Sequence, residues 1–220
     1  MTSQTNDRKR RRKGLVAWGA LAGVAALLTT AAFTDRAFLN LGGENGIGGA
    51  DSTYNIQVGA TDAEGRFVAD EWQEADDPIG VPVFLEGAQS LFPGSDAISI
   101  DIPVRNDSAH FKSSLAISLE QLADDAVAEK VTDADYLSSL RFDVTMPATT
   151  VGTTAVSETG LTFAEVTAVQ LNALEANEVS TVSLSIRLAP QAETNAAFDD
   201  NSLAGKGAFI QAIIDGSSIN

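Results

Sequence analysis

Between residues 54 and 214, apolar and polar positions alternate with a period of two in a series of short segments. Tyr54, Ile56 and Val58 alternate with Asn55 and Gln57, while Ile98, Ile100, Ile102 and Val104 alternate with Ser99, Asp101, Pro103 and Arg105. The spacing recurs at Leu115, Ile117 and Leu119, at Phe142, Val144 and Met146, and at Val182, Leu184, Ile186 and Leu188. Val81, Val83 and Leu85 repeat it after a turn signal at Asp77 and Pro78. Side chains two apart share one face of a strand, so each segment predicts a strand with one apolar and one polar face. Pro103 has no N–H to donate, which predicts an edge or a bulge in its strand. Ala208 to Ile214 is apolar on both faces and predicts a buried strand.

Helical pattern is confined to the middle of the chain. Thr132, Asp133, Ala134 and Asp135 resemble a capping box and predict a short helix through Leu140. Gln121 to Lys130 has room for another turn or two, and Leu161 to Leu174 reads equally as helix or strand. About seven short strands separated by turn signals predict a mainly β fold. The expected architecture is an antiparallel β-sandwich or jelly roll with one or two short helices.

The N-terminus has a different character. Arg8 to Lys13 is an unbroken run of six cations, and Gly14 to Ala32 follows with 19 residues that carry no charge. As a helix that stretch spans about 28 Å, close to the thickness of a bilayer core. Cations before an apolar run stay cytoplasmic, so the order reads as an export signal helix. The small residues ending at Ala31 and Ala32 suit a signal peptidase, with cleavage after either; the competing reading is an uncleaved signal anchor. The expected organisation is a signal peptide over 1–31, an N-terminal strand and Gly-rich hinge over 32–52, and a β-sandwich domain over 53–220. Contact with the membrane is expected only through residues 14–32, before cleavage. Both outcomes put the domain outside the cytoplasmic membrane, secreted or held at the cell surface.

Charge sharpens that picture. From residue 32 onward 8 basic residues stand against 29 acidic ones, a net −21. Such a surface repels nucleic acid and anionic lipid. The chain has no Cys and one His, His110, which excludes thiolate zinc sites and the paired histidines of zinc proteases. No Gly-x-Ser-x-Gly elbow accompanies His110, and Gly42 to Gly49 lacks the Lys of a phosphate-binding loop. No catalytic residue is therefore assigned. Carboxylates suit Ca2+, and Asp70, Glu71, Asp76 and Asp77, with Glu74 among them, are the candidate ligands; a solvated acidic face is the alternative. No cofactor beyond Ca2+ is expected. A hydrolase using carboxylates alone would have only these residues to work with.

The order of features resembles the TasA/camelysin family of exported bacterial proteins. Ala31-Ala32-Phe33-Thr34-Asp35 looks like the family's junction after the signal. Leu91-Phe92-Pro93-Gly94-Ser95, the strand after it and Val104-Arg105-Asn106-Asp107-Ser108 are similar to its turn, strand and Asn-x-Ser ending. Asp135 to Val144 resembles a helix-to-strand passage of TasA, and Val179 to Leu188 a later strand. The Ala-rich, Lys-poor composition is closest to actinobacterial members. The resemblance implies processing by a SipW-type signal peptidase, a jelly-roll domain and self-association into cell-surface or biofilm-matrix fibres. It also implies that an N-terminal strand completes the sheet of a neighbouring subunit, which gives Phe33, Phe38, Leu39 and Leu41 the role of donor. The camelysin protease label does not transfer, because the histidines for zinc are missing. The alternative function is a monomeric exported module that binds a ligand or the cell wall.

Overall fold

The computed structural model describes residues 34–35, 54–122 and 131–219, all within one compact unit, Thr34–Asn220. Two antiparallel sheets form it. The smaller has the order β1-β10-β5-β8, built from β1 (Thr34–Asp35), β10 (Ile210–Ile219), β5 (Lys112–Gln121) and β8 (Val169–Gln170). The larger has the order β3-β2-β4-β9-β6-β7. Its strands are β3 (Phe67–Gln73), β2 (Ile56–Thr61), β4 (Ile98–Asn106), β9 (Val179–Leu188), β6 (Leu140–Met146) and β7 (Val156–Leu161). Their inner faces meet in one core: Leu115 and Ile117 from β5 pack with Val104, Phe142, Val144 and Val182 from the larger sheet. The strict alternation of buried and half-exposed positions in β5, β6 and β9 follows from the period of two, which sends every second side chain inward.

The strands expected at 54–58, 98–104, 115–119, 142–146 and 182–188 form as β2, β4, β5, β6 and β9. A strand at Val81 to Leu85 does not form. Gly80 turns the chain at a φ of 75°, Pro82 has no N–H, and Phe84 N to Gly65 O at 2.7 Å is a loop contact that leaves Val83 and Phe84 exposed. Conversely, β3 and β7 arise where polar composition concealed them. β3 is an edge strand with a bulge: Gly59 pairs with Trp72 and Thr61 with Phe67, and the extra residues include Asp70 at a φ of 59°. Charged residues on such an edge discourage further pairing.

Pro103 was expected to mark an edge or a bulge, but β4 lies between β2 and β9 and carries no bulge; the missing N–H instead coincides with the end of one ladder. β4 pairs with β9 along its length, but its ladder with β2 ends at Val58–Val104, one residue before the proline. Gly59 lies beside it, and a Cβ at that position would stand 2.9 Å from Pro103 Cγ. The absence of a side chain therefore lets β2 pass the pyrrolidine ring.

The short helix forms as α1 (Ala134–Ser139), with a different cap from the one expected. Asp133 Oδ1 accepts from Tyr136 N at 3.0 Å, while the Thr132 hydroxyl accepts from Phe209 N at 2.9 Å. Residues 161–174 form no helix: a turn at 163–167 buries Val166 and leads into β8. A second helix, α2 (Gln191–Thr194), follows β9. The turn expected within Gln121 to Lys130 lies outside the described residues beyond Leu122, as does the signal helix.

Candidate assembly edge

β1 contributes the only described part of the N-terminal segment. Thr34 pairs with Ser217 and Asp35 with Gly216, so β1 covers one end of β10. Gly216 makes that end possible, because a Cβ there would meet Ile56 Cγ1 at 2.5 Å and the Tyr54 hydroxyl at 2.7 Å. The Tyr54 hydroxyl in turn bonds Ser113 Oγ at 2.6 Å, tying the start of β2 to β5 across the sheets. Beyond Gly216, Ile210–Asp215 pair with β5 on one side and with no described strand on the other. β10 was expected to be buried on both faces; instead most of it is half-buried, and among the described residues only one flank has a neighbour along most of its length.

That flank borders an apolar cavity of about 500 Å³ between the sheets. Ile56, Val58, Ile100, Ile102, Leu184 and Ile186 line it from the larger sheet, and Leu119, Ile210, Ala212 and Ile214 from the smaller. The loop from Asp77 to Leu85 closes one end. Ala212 pairs with Leu119 and Ile214 with Ile117, so both point inward, yet Ala212 is exposed. Ile98, Ile100 and Ile102 are likewise only half-buried, whereas Val104 on the same face is fully buried. The core is closed at the Val104 end and open at this one.

At the closed end a buried polar hub joins three segments. Asn106 Nδ2 donates to Phe111 O at 2.8 Å and Glu175 O at 2.9 Å, and Oδ1 accepts from Ser108 N at 3.1 Å. Asn106, Ser108 and Ser113 are buried. Composition gave no hint of this role, although Asn106 and Ser108 belong to the strand ending quoted for the family resemblance.

The candidate Ca2+ ligands do not converge. Asp70 and Glu71 lie on β3, and Asp76 and Asp77 in the loop after it, where Asp77 Oδ1 accepts from Ile79 N at 2.9 Å. Among the described residues no group of three or more His, Asp or Glu side chains is arranged to hold a metal ion. Glu74 instead accepts from Asn55 Nδ2 at 2.7 Å and Gln57 Nε2 at 2.8 Å. Asp199 caps a 3-10 turn through Ser202 N, and Asp200 accepts from Gln191 N. His110 is exposed in the bend after β4. Ala31, Ala32, Phe33, Phe38, Leu39 and Leu41 lie outside the described residues.

Several carboxyls act as local clasps. Burial pushes Glu178 up, but N–H bonds from Glu175 and Thr150 and the Thr150 hydroxyl outweigh it and hold it below the ordinary 4.5. The Thr162 N–H and hydroxyl lower Glu165, Tyr136 N–H lowers Asp133 below 3.8, and Arg187 lowers Glu193. A carboxyl depressed on folding adds stability above its unfolded value and loses it as pH falls through its folded value. Urea midpoints should therefore be insensitive to these groups above about pH 5 and decline below about 4.5. A midpoint that rises on acidification from pH 4.5 to 3 would contradict this assignment.

No protein-family model matches the chain, and no curated protein matches it.

Proposed function

We propose that this chain is an exported structural protein, a subunit or accessory of a cell-surface or biofilm-matrix fibre, and that its two-sheet domain is a jelly-roll sandwich assembled by strand exchange. The observation that carries this reading is the pairing of Thr34–Asp35 with β10 at an edge that has no other strand among the described residues. A bare edge accepts an added strand through main-chain hydrogen bonds. A SipW-type peptidase would release the segment by cleavage at Ala31 or Ala32, with Phe33, Phe38, Leu39 and Leu41 as the donor. The net charge of −21 beyond residue 31 opposes association, and salt screens it over about 8 Å at physiological strength. Salt, Ca2+ or mild acid should therefore promote assembly.

A second reading, a monomeric exported ligand- or cell-wall-binding module, draws on the same apolar cavity and on β1 pairing within its own chain. Negative-stain electron microscopy of the chain starting at Ala32, with and without Ca2+ and at mildly acid pH, separates them. Filaments are expected, and they should vanish when residues 32–41 are deleted. Isolated particles under every condition would transfer the protein to the second reading.

A further inference from the structure

We infer that the cavity between the sheets is a binding site for a long aliphatic molecule with an uncharged head, such as a fatty alcohol. The inference goes beyond the fibre reading and does not depend on it, because an isolated subunit contains the whole site. It also supplies the ligand class that the monomeric reading leaves open.

The core is filled unevenly. Val104, Phe142 and Val182 are wholly buried in the cluster that joins the sheets. By contrast Ile56, Val58, Ile100 and Ile102 of the larger sheet and Ile210 and Ile214 of the smaller line the 500 Å³ cavity, and all are half-buried. Ala212 points inward among them and is exposed, so the space opens beside it. Interiors normally pack as densely as organic crystals, and side chains that face a gap lose dispersion contacts outright. A volume of this size lies within the range of about 300–1,000 Å³ usual for ligand pockets, and apolar cavities stay dry and take apolar guests.

The chemistry of the wall selects the guest. Phe67 is the single aromatic residue among the described lining residues, and the other apolar ones are aliphatic. Aliphatic side chains offer no ring face to a planar ligand, so a flexible chain fits this wall better. The ionisable residues of the described lining are Asp77 and Asp215, both acidic, and the chain beyond residue 31 carries a net −21. An anionic head would meet repulsion there. Polar lining is also sparse: Gln73 Nε2 already donates to Gly59 O at 3.0 Å, and Asp77 Oδ1 accepts from Ile79 N at 2.9 Å. Burial of the aliphatic chain therefore carries the binding.

The test uses the chain from Ala32, which keeps the whole compact unit Thr34–Asn220, in dilute low-salt solution. 1-Decanol and decanoate share a chain length and differ in the head, so calorimetric titration with each, below its micelle concentration, reads the site and its charge selection. Decanol should bind saturably at one site per chain and raise the urea midpoint as its concentration rises. Decanoate should bind at least about tenfold more weakly. Ile100→Trp puts an indole into the cavity, whereas Ser99→Trp puts the same ring on the outer face of the same strand. The first should weaken decanol binding at least about tenfold without lowering the urea midpoint, because it fills space rather than overpacking it. The second should leave binding unchanged. Should Ile100→Trp fail to fold, Ile102→Phe makes the same comparison with a smaller ring. Decanol that does not saturate, decanoate that binds equally well, or equal loss in both Trp variants overturns the inference. Filaments are read separately by microscopy, so a chain that binds no decanol and still assembles loses this site and keeps the fibre reading.

Discussion

Replacing Phe142 by Ala should lower the free energy of unfolding by about 3–5 kcal/mol, the range for truncating a buried aromatic side chain. Phe142 has 0% exposure and lies in β6 between Leu161 of β7 and Ile186 of β9. Its neighbours are held by ladders on both sides, so they cannot close over the void, and the cavity cost adds to the lost transfer energy. Single domains have only about 5–15 kcal/mol in total, so the variant should be marginal. Urea unfolding gives the check: the midpoint should fall sharply with an unchanged slope. Phe142→Leu, which retains most of the volume, should cost closer to 1–2 kcal/mol. A loss below 1 kcal/mol for the Ala variant would mean that the core around β6 repacks freely.

Asn106→Asp should rank next, at about 3 kcal/mol near neutral pH. The amide serves as donor to two carbonyls and as acceptor for one N–H. A carboxylate keeps the acceptor but removes both donors, and it turns negative charge toward Phe111 O and Glu175 O. Each buried polar group left without a partner costs about 1–3 kcal/mol. Burial beside carbonyls raises the pKa of the introduced acid in the folded state above its unfolded value. Its penalty is therefore largest at high pH and shrinks as pH falls and the acid protonates, regaining one donor. Asn106→Ala should cost a similar amount with no such pH dependence. Equal pH profiles for the two variants would show that water reaches the site and that the hub is not sealed.

The three-segment junction at Asn106 explains why a residue unremarkable in composition carries so much. The backbone N–H of Asn106 also bonds Glu178 O at 3.0 Å, and Ser113 pairs through N and O with Leu174. The start of β5, the end of β4 and the approach to β9 are thus fastened at one place. Arg105, next along β4, stacks over Trp72 at 5.1 Å and pairs with Asp107 at 2.8 Å, anchoring β3 on the outer face. Those contacts account for several polar residues near the acidic segment without a ligand.

Periodicity made β2, β4, β5, β6 and β9 legible, because a strand with one buried face must alternate whatever its neighbours are. The missing N–H of Pro103 suggested an edge or a bulge, but β4 became an internal strand whose ladder with β2 stops one residue short of the proline. Val81, Val83 and Leu85 have the same spacing, but Gly80 turns the chain before them and Pro82 has no N–H, so no strand forms there. β3 and β7 lack the pattern and form strands because β2 and β6 supply one.

By itself, then, the sequence determined the local inventory: an apolar N-terminal stretch after a cationic run, alternating strands, one short capped helix and an acidic surface. Only the tertiary structure decided which strands are neighbours, that β10 runs between the described β1 and β5, that an apolar space lies beside it, and that Asn106 is buried at a crossing of three segments. The physical reason is range. Alternation, capping and chain stiffness act over a few residues, whereas ladder partners such as Thr34 and Ser217 are brought together by loop closure and by burial summed over both sheets.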